Sequence, residues 1–477
     1  MQKTKASLGR LPRLFVLLIG LALSSVISGC ATFHGGVHAG APEEKFDGHK
    51  YYSAVFVALR DNHMLLTNPD TRAKWVAQWE HKHDKDGLLD SEAGAERAVK
   101  EMTASLGQRF DYFLDKAETQ AETREETATG PGIGIRLTAR PEVKGTAAQS
   151  LQIEQVVAGS PADKAGLKPG DTILAIDDKP LAGLSVSQAL NLIHGDEGTS
   201  VKLSVIRLGR VRVGQSFTAT IRRAKVVFPV TNYRNLGDGV AYIKVYDFDS
   251  QYTVKDMGDA LKQAAGAKAL IVDLRYNRGG SVRNAVLASQ LMLEEGTILT
   301  RRDREGDHVD ELTLIAEKLY VLRQERDSTA PQKLLVKDAP RLSLALRADV
   351  PVVVLVNAET ASAAEILAGV LQYQRHATVV GVSTTGKGVG QTVVDLPFGR
   401  RIHVTSFKFF PGGKDIDWVG IVPDVEAEQP ADAVEDQQLQ SARDQAADLI
   451  SRHDELEQKR QDLKRKHEEE FQKSRQP

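Results

Sequence analysis

The sequence predicts a multidomain α/β protein, α+β overall, and three observations carry that prediction. Two stretches, KALIVDLRYNRGGSVRNAVLASQLML and VPVVVLVNAETASAAEILAGVLQYQ, each pass from a continuous aliphatic run through a short turn into an amphipathic helix. That is the pattern of strands buried on both faces and followed by helices. Ahead of them, from residue 48 to about 129, apolar residues recur at three and four spacing, as in packed helices. The chain is also 477 residues long, too long for one ordinary core.

Residues 1–29 read as a leader. Lys3, Lys5, Arg10 and Arg13 precede an apolar run from Leu14 to Ile27, short for a membrane span and suited to a signal peptide. The run ends in Ile27-Ser28-Gly29-Cys30, which resembles the bacterial lipobox. The resemblance implies cleavage before Cys30 and lipidation of its thiol. The mature chain would then be lipid-anchored in the bacterial cell envelope and face the periplasm, and Ala31 after the cysteine favours the outer membrane by analogy. The plainer alternative is secretion, with Cys30 an incidental thiol. Cys30 is the sole cysteine, so an intrachain disulfide and a cysteine-rich metal site are excluded. A formal net charge of −2 gives no electrostatic reason to expect a nucleic-acid partner.

Residues 30–47, rich in Gly, His, Ala and Pro, read as a tether. The helical region 48–129 comprises YYSAVFVALRDNHMLL, WVAQWEHKHD and SEAGAERAVKEMTASLGQRFDYFLDKAE. His81 and His83 stand two apart and point to different helix faces with no third ligand evident, so a solvated face is expected rather than a metal site. Residues 130–224 follow. GPGIGIRL offers a glycine-bearing loop running into a strand, and VVAGSPADKAGLKPGDTILAIDDKPLAGLSVSQALNLIHGDEGTSVKLSVIR resembles the PDZ pattern. Such a domain adds an extended peptide as a strand while loop amides hold its terminal carboxylate; Gly132, Ile133, Gly134 and Ile135 are the candidate peptide-binding positions.

Residues 225–430 carry the chemistry. Ser362 sits where a buried strand hands over to a helix, held rigidly among the N–H groups of the helix start. A serine hydroxyl needs a base, and Lys387, between Gly386 and Gly388 in a loop after the apolar run ATVVGV, is the best candidate. In a dry site, desolvation disfavours its ammonium and leaves a neutral amine able to take a proton. The glycines of NRGGS, Gly279 or Gly280, sit in the corresponding loop of the other strand–helix unit. Either can supply a second amide, beside that of Ala363, to an oxyanion.

The run NAETASAAEILAG followed by GKGVGQ resembles the carboxyl-terminal processing (tail-specific) protease family, in which an N-x-x-S-A-S-A-S-E-x-x-A-G pattern precedes G-K-G-x-x-Q. Lys387 follows Ser362 by 25 positions and Gln391 follows Lys387 by four, as in that family. The resemblance implies a crotonase/ClpP-like α/β protease core in which Ser362 is the nucleophile, Lys387 the base and Gln391 its orienting partner, with no metal or other cofactor. Thr360 and Ala364 stand where the family has serines, and neither removes a catalytic group; Arg278 stands where DLRxNPGG has proline. The helical region with its SLGQRFDYFL segment, the PDZ-like region and the closing GIVPD turn are similar to the same family's arrangement. His376 and His403 are the nearest histidines to a rival base, without a motif to support them.

Residues 303–348 depart from the family's shorter connection and read as an inserted helix near the site, either acting as a lid or shaping the substrate groove, or else inert. Residues 431–477 read as a charged helical tail. Leu449, Leu456 and Leu463 recur every seven residues, but His453, Arg460 and His467 spoil the companion seam, so a solvated helix is expected ahead of docking to an adaptor protein or to a second copy of the chain. The functional expectation is a cell-envelope serine endopeptidase that receives protein carboxyl termini through its PDZ-like domain. The rival is a lipid-anchored PDZ scaffold without turnover.

Overall fold

Alternation along the central strands places one residue in two on each side of a sheet, and both sides are apolar here. In a computed structural model of the chain, six strands lie in the order Thr231–Asn235, Val240–Val245, Ala269–Asp273, Val352–Val356, Thr378–Gly381 and Val425–Glu426. All neighbours are parallel except the first pair. Ile243, Val272, Val354 and Val379 join one core with the helices Thr253–Gln263, Val282–Gln290 and Ala363–Arg375. Tyr242, Ile271, Val353, Leu355 and Val380 join a second core on the other side.

The residues described are 45–126, 129–140, 150–181, 186–208, 214–302, 308–315, 318–325, 332–335, 346–347, 349–430, 436–453 and 455. The leader and Cys30 lie outside them, as do most of the tether and the tail beyond 455. No helix among the described residues is long and apolar enough to cross a membrane.

The second core corrects the expectation of a solvated tail. Residues 437–453 form a helix whose Leu439, Ala442, Ala446, Leu449 and Ile450 cover the sheet, with Ala442 and Ala446 fully buried. Their spacing of three and four makes one apolar stripe. Of the leucine heptad, Leu449 belongs to this stripe, and Leu456 and Leu463 lie outside the described residues.

A second sheet runs in the order Tyr112–Leu114, Arg400–Pro411, Gly296–Arg302, His308–Ile315, Lys318–Glu325 and Gln332–Leu335, with Val389–Leu396 paired to Arg400–Pro411 as well. The inserted segment is therefore an antiparallel extension of this sheet, and the helix expected within 303–348 is not there among the described residues. Leu319 and Val321, two apart, are buried together in the main core, a period of two that an apolar-rich helix reading overlooks.

The amino-terminal helices start where their caps dictate. Asp47 accepts from Lys50 N, Asn68 from Asp70 and Thr71 N ahead of Pro69, and Ser91 from Gly94 N. The helices pack on Leu396, Ile402 and Val404 of the second sheet. The third helix stops at Ala104, and Tyr112–Leu114 then pairs with Arg401–His403 before a helix resumes at Lys116, so the long helical reading of this stretch is interrupted. His81 and His83 lie in the turn after Trp79 rather than on a helix. His81 is exposed beside Asp84, whereas His83 is buried against Tyr52 and bonded to Asp86, so the shared solvated face is corrected for His83.

The PDZ-like region has its own core, with Ile153, Ile173 and Leu203 at its centre. Its main strands lie in the order 135–140, 150–156, 172–176, 200–208 and 214–222. It is joined to the rest by the strand pair Thr129–Gly132 with Ala224–Val227. Two ion pairs, Glu154–Lys244 at 3.0 Å and Arg136–Asp247 at 3.2 Å, add to that junction.

Candidate active site

The loops after Ala269–Asp273 and Val352–Val356 emerge side by side at the carboxyl end of adjacent parallel strands. Ser362 ends the second loop with φ 55° and ψ −118°, a conformation that costs an L residue about 1–3 kcal/mol. Its surroundings hold it there. Asn277 from the first loop accepts Ala361 N on its carbonyl at 3.0 Å and Gly279 N on its side chain at 2.9 Å, and donates to Val245 O. Gly279 has φ +103°, and a Cβ on it would lie 2.8 Å from both Ser362 Cβ and Ala363 N. Only glycine lets the two loops approach so closely.

Glu365, one turn into the serine helix, has no exposed surface. Its Oε2 accepts from Ser362 N at 2.7 Å and from Lys387 N at 2.9 Å; its Oε1 accepts from Gly386 N at 2.7 Å and from the Thr384 hydroxyl. One carboxylate oxygen thus receives the backbone amides of both the serine and the lysine. Burial pushes the Glu365 carboxyl above its ordinary range, although these donors pull it down.

Lys387 Nζ donates to Gln391 Oε1 at 2.5 Å. A register shift between Gly390 and Gln391 in the hairpin with Arg400–Pro411 re-aims the side chain that follows. Gly386, at φ +72°, carries the lysine loop past residues 418–420, whose backbone would lie about 3 Å from any Cβ there. Ser362, Ala363, Gly279, Lys387 and Gln391 are therefore brought to one place, while Gly280, the next residue after Gly279, lies against Phe248 and Asp249. His376 caps the far end of the 13-residue serine helix, and His403 Nε2 lies on Glu122, stacked against Tyr112; neither reaches the serine turn.

Beneath the first loop is a buried ionic chain that sequence reasoning missed. Asp273 accepts from the Tyr242 hydroxyl at 2.7 Å and from Arg275, whose guanidinium also grips Asp436 at the foot of the carboxyl-terminal helix. Lys244 bonds the Arg275 carbonyl at 2.9 Å and reaches Glu154 of the PDZ-like region. Burial pushes the Asp273 carboxyl up, but Arg275 and Lys244 outweigh it and hold it well below the usual carboxylate range. Glu365 was also given no role, yet Ser362-x-x-Glu365 is the capping-box spacing and could have marked it.

Of the peptide-binding candidates, Ile135 opens the edge strand Ile135–Arg140, beside helix Val186–Ile193. Gly132 is paired with Ala224, and the Ile133 side chain is buried in the domain core. Gly134, at φ +86°, makes the turn into the edge strand. The edge strand of the domain thus begins just after Gly132 and Ile133. Among the described residues no group of three or more His, Cys, Asp or Glu is placed to hold a metal ion.

Residues 239–427 match the profile of peptidase family S41, and residues 152–207 match that of the PDZ domain. A carboxyl-terminal-processing protease of Synechocystis is 34% identical over 341 residues, which span 70% of this chain and 71% of that protein. The chain belongs to peptidase family S41. As an S41 peptidase it is also similar to the carboxy-terminal processing protease CtpA of Bacillus subtilis, 28% identical over 87% of this chain and 76% of the relative. A solved structure from Bacteroides fragilis assigned to the S41 proteases shares the fold, with a TM-score of 0.51 at 20% identity, covering 81% of this chain and 92% of that one. The S41 match spans both loops of the site and the lysine hairpin, and the PDZ match falls on the separately cored region before it.

Proposed function

We propose that this S41 peptidase is a serine endopeptidase of the bacterial cell envelope that cleaves proteins presented by their carboxyl termini, using Ser362 and Lys387. The observation that carries the reading is Glu365 Oε2, which receives the amides of both residues and so fixes nucleophile loop and base loop to one atom. Lys387, as the neutral amine, takes the Ser362 proton as Oγ attacks the scissile carbonyl, then returns it to the leaving amine; water resolves the acyl-enzyme by the same route reversed. Gln391 orients Lys387. The Ala363 amide is assigned as one donor to the developing oxyanion. Since Gly279 N–H already donates to Asn277, the second donor is assigned to Gly280. The edge strand Ile135–Arg140 receives the substrate tail by strand addition. Lipidation of Cys30 would hold the enzyme on the outer membrane, facing the periplasm.

The test is cleavage of an unfolded protein with an apolar carboxyl terminus by wild type, Ser362→Ala and Lys387→Ala. Loss in both variants supports the dyad; equal cleavage by all three removes it, and no cleavage by any favours a binding scaffold. Activity of the wild type should fall as pH drops through the pKa of the amine. Cys30→Ser should release the chain from the membrane fraction.

A further inference from the structure

We propose that the segment Arg109–Asp111, from the amino-terminal helical region, is a positioning element for the lysine of the active site. The inference rests on the Ser362–Lys387 reading and extends it to residues outside the S41-matched stretch.

An amide side chain has an acceptor end and a donor end, and its partners decide which faces where. Gln391 Nε2 donates to the Phe110 carbonyl, and this leaves Oε1 to accept Lys387 Nζ. Were the amide turned over, its NH2 would meet Lys387 Nζ and occupy the lone pair that the neutral amine needs for the Ser362 proton. Arg109 works on the other side of the lysine. Its Nη2 donates to Gly386 O at 2.8 Å and Thr385 O at 3.2 Å, the two carbonyls just before Lys387. The guanidinium lies over the Phe110 ring at 4.3 Å and over the Trp418 ring at 4.0 Å. Trp418 N donates to the same Gly386 carbonyl at 3.0 Å, so the stack and the loop form one unit. The Phe110 ring centroid is 5.2 Å from Lys387 Nζ, and the ring shields that side of the amine.

A positioning element must itself be fixed. Asp111 Oδ1 accepts Thr405 N at 2.7 Å, and Oδ2 lies 3.0 Å from His63 Nε2 in a site closed to solvent. His63 is itself held by Leu65 N, which donates to its Nδ1 at 3.1 Å. Tyr112–Leu114 then pairs with Arg401–His403. The segment is thus held at its carboxyl end and presents two backbone-directed contacts and one ring to the Lys387 loop.

The experiment measures kcat and KM for wild type, Lys387→Ala, Arg109→Ala, Arg109→Lys and Phe110→Ala, and crosses Arg109→Ala and Phe110→Ala with Gln391→Ala. Thermal midpoints are measured alongside. Arg109 is exposed, so Arg109→Ala should fold normally. The expected result is a fall in kcat of roughly tenfold or more at near-constant KM for Arg109→Ala and Phe110→Ala. Arg109→Lys should recover only part of it, because an ammonium cannot stack as a planar guanidinium does. Each double variant should lose less than the product of the single losses, as residues acting through one group do. Wild-type kcat in both alanine variants, or fully multiplicative losses with Gln391→Ala, overturns the proposal while an inactive Lys387→Ala leaves the dyad standing. A fully active Lys387→Ala overturns both.

Discussion

Replacing Glu365 by glutamine changes almost no volume and removes one lone-pair face. The carboxylate accepts four donors, two on each oxygen. An amide of the same shape offers one acceptor oxygen and one NH2, so in either orientation two donors face hydrogens. Each hydrogen bond to a charged group contributes about 1.5–3 kcal/mol. Part of that loss is offset, because burial disfavours the charge at this position, as its raised pKa records. A net loss of about 2–4 kcal/mol in the site's organisation corresponds to about 30- to 1,000-fold in kcat/KM. The assay is initial cleavage rates on an unfolded substrate across a concentration series, well below the melting midpoint, with melting curves beside it. A Glu365→Gln enzyme with wild-type kcat/KM and an unchanged midpoint would refute the claim that this carboxylate holds the serine and lysine loops together.

Gly279→Val should abolish most activity, about 100-fold or more, because its side chain would enter the space of Ser362 Cβ and Ala363 N. Peptide binding by the PDZ domain, read by fluorescence anisotropy, should survive. Asp273 has a folded pKa depressed below its unfolded value near 3.9, so its contribution is present above about pH 4 and lost as pH falls toward the folded value. Asp273→Asn should therefore lower the melting midpoint at pH 7 and flatten the acid-induced decline, measured by melting across a pH series. Ala442→Leu forces extra volume between the carboxyl-terminal helix and the sheet, costing about 1–3 kcal/mol in denaturant titration, with cleavage retained below the transition.

Ser362, Lys387 and Gln391 were legible because two short motifs carry them at fixed separations, and the strand–turn–helix units around them announce themselves by continuous aliphatic runs. The parallel pairing of the two units, with both loops at one end of the sheet, followed from those runs, whereas the order of the other strands did not. The insertion was misread because LTLI and LYVL satisfy a helical pattern and an alternating one at once, and sheet pairing settled the matter. The tail was misread because its leucine heptad stood out more than the mixed Leu, Ala and Ile stripe that packs. Contacts such as Gln391 with Phe110 or Arg275 with Asp436 join residues 281 and 161 positions apart, and no local spacing encodes them.

The contact between Phe110 and Gln391 also sets a timetable. Residues near position 110 leave the ribosome long before those near 390 exist, and the polypeptide grows at about 5–20 residues per second. The hairpin that carries Lys387 and Gln391, made late, therefore closes onto an amino-terminal segment that already awaits it.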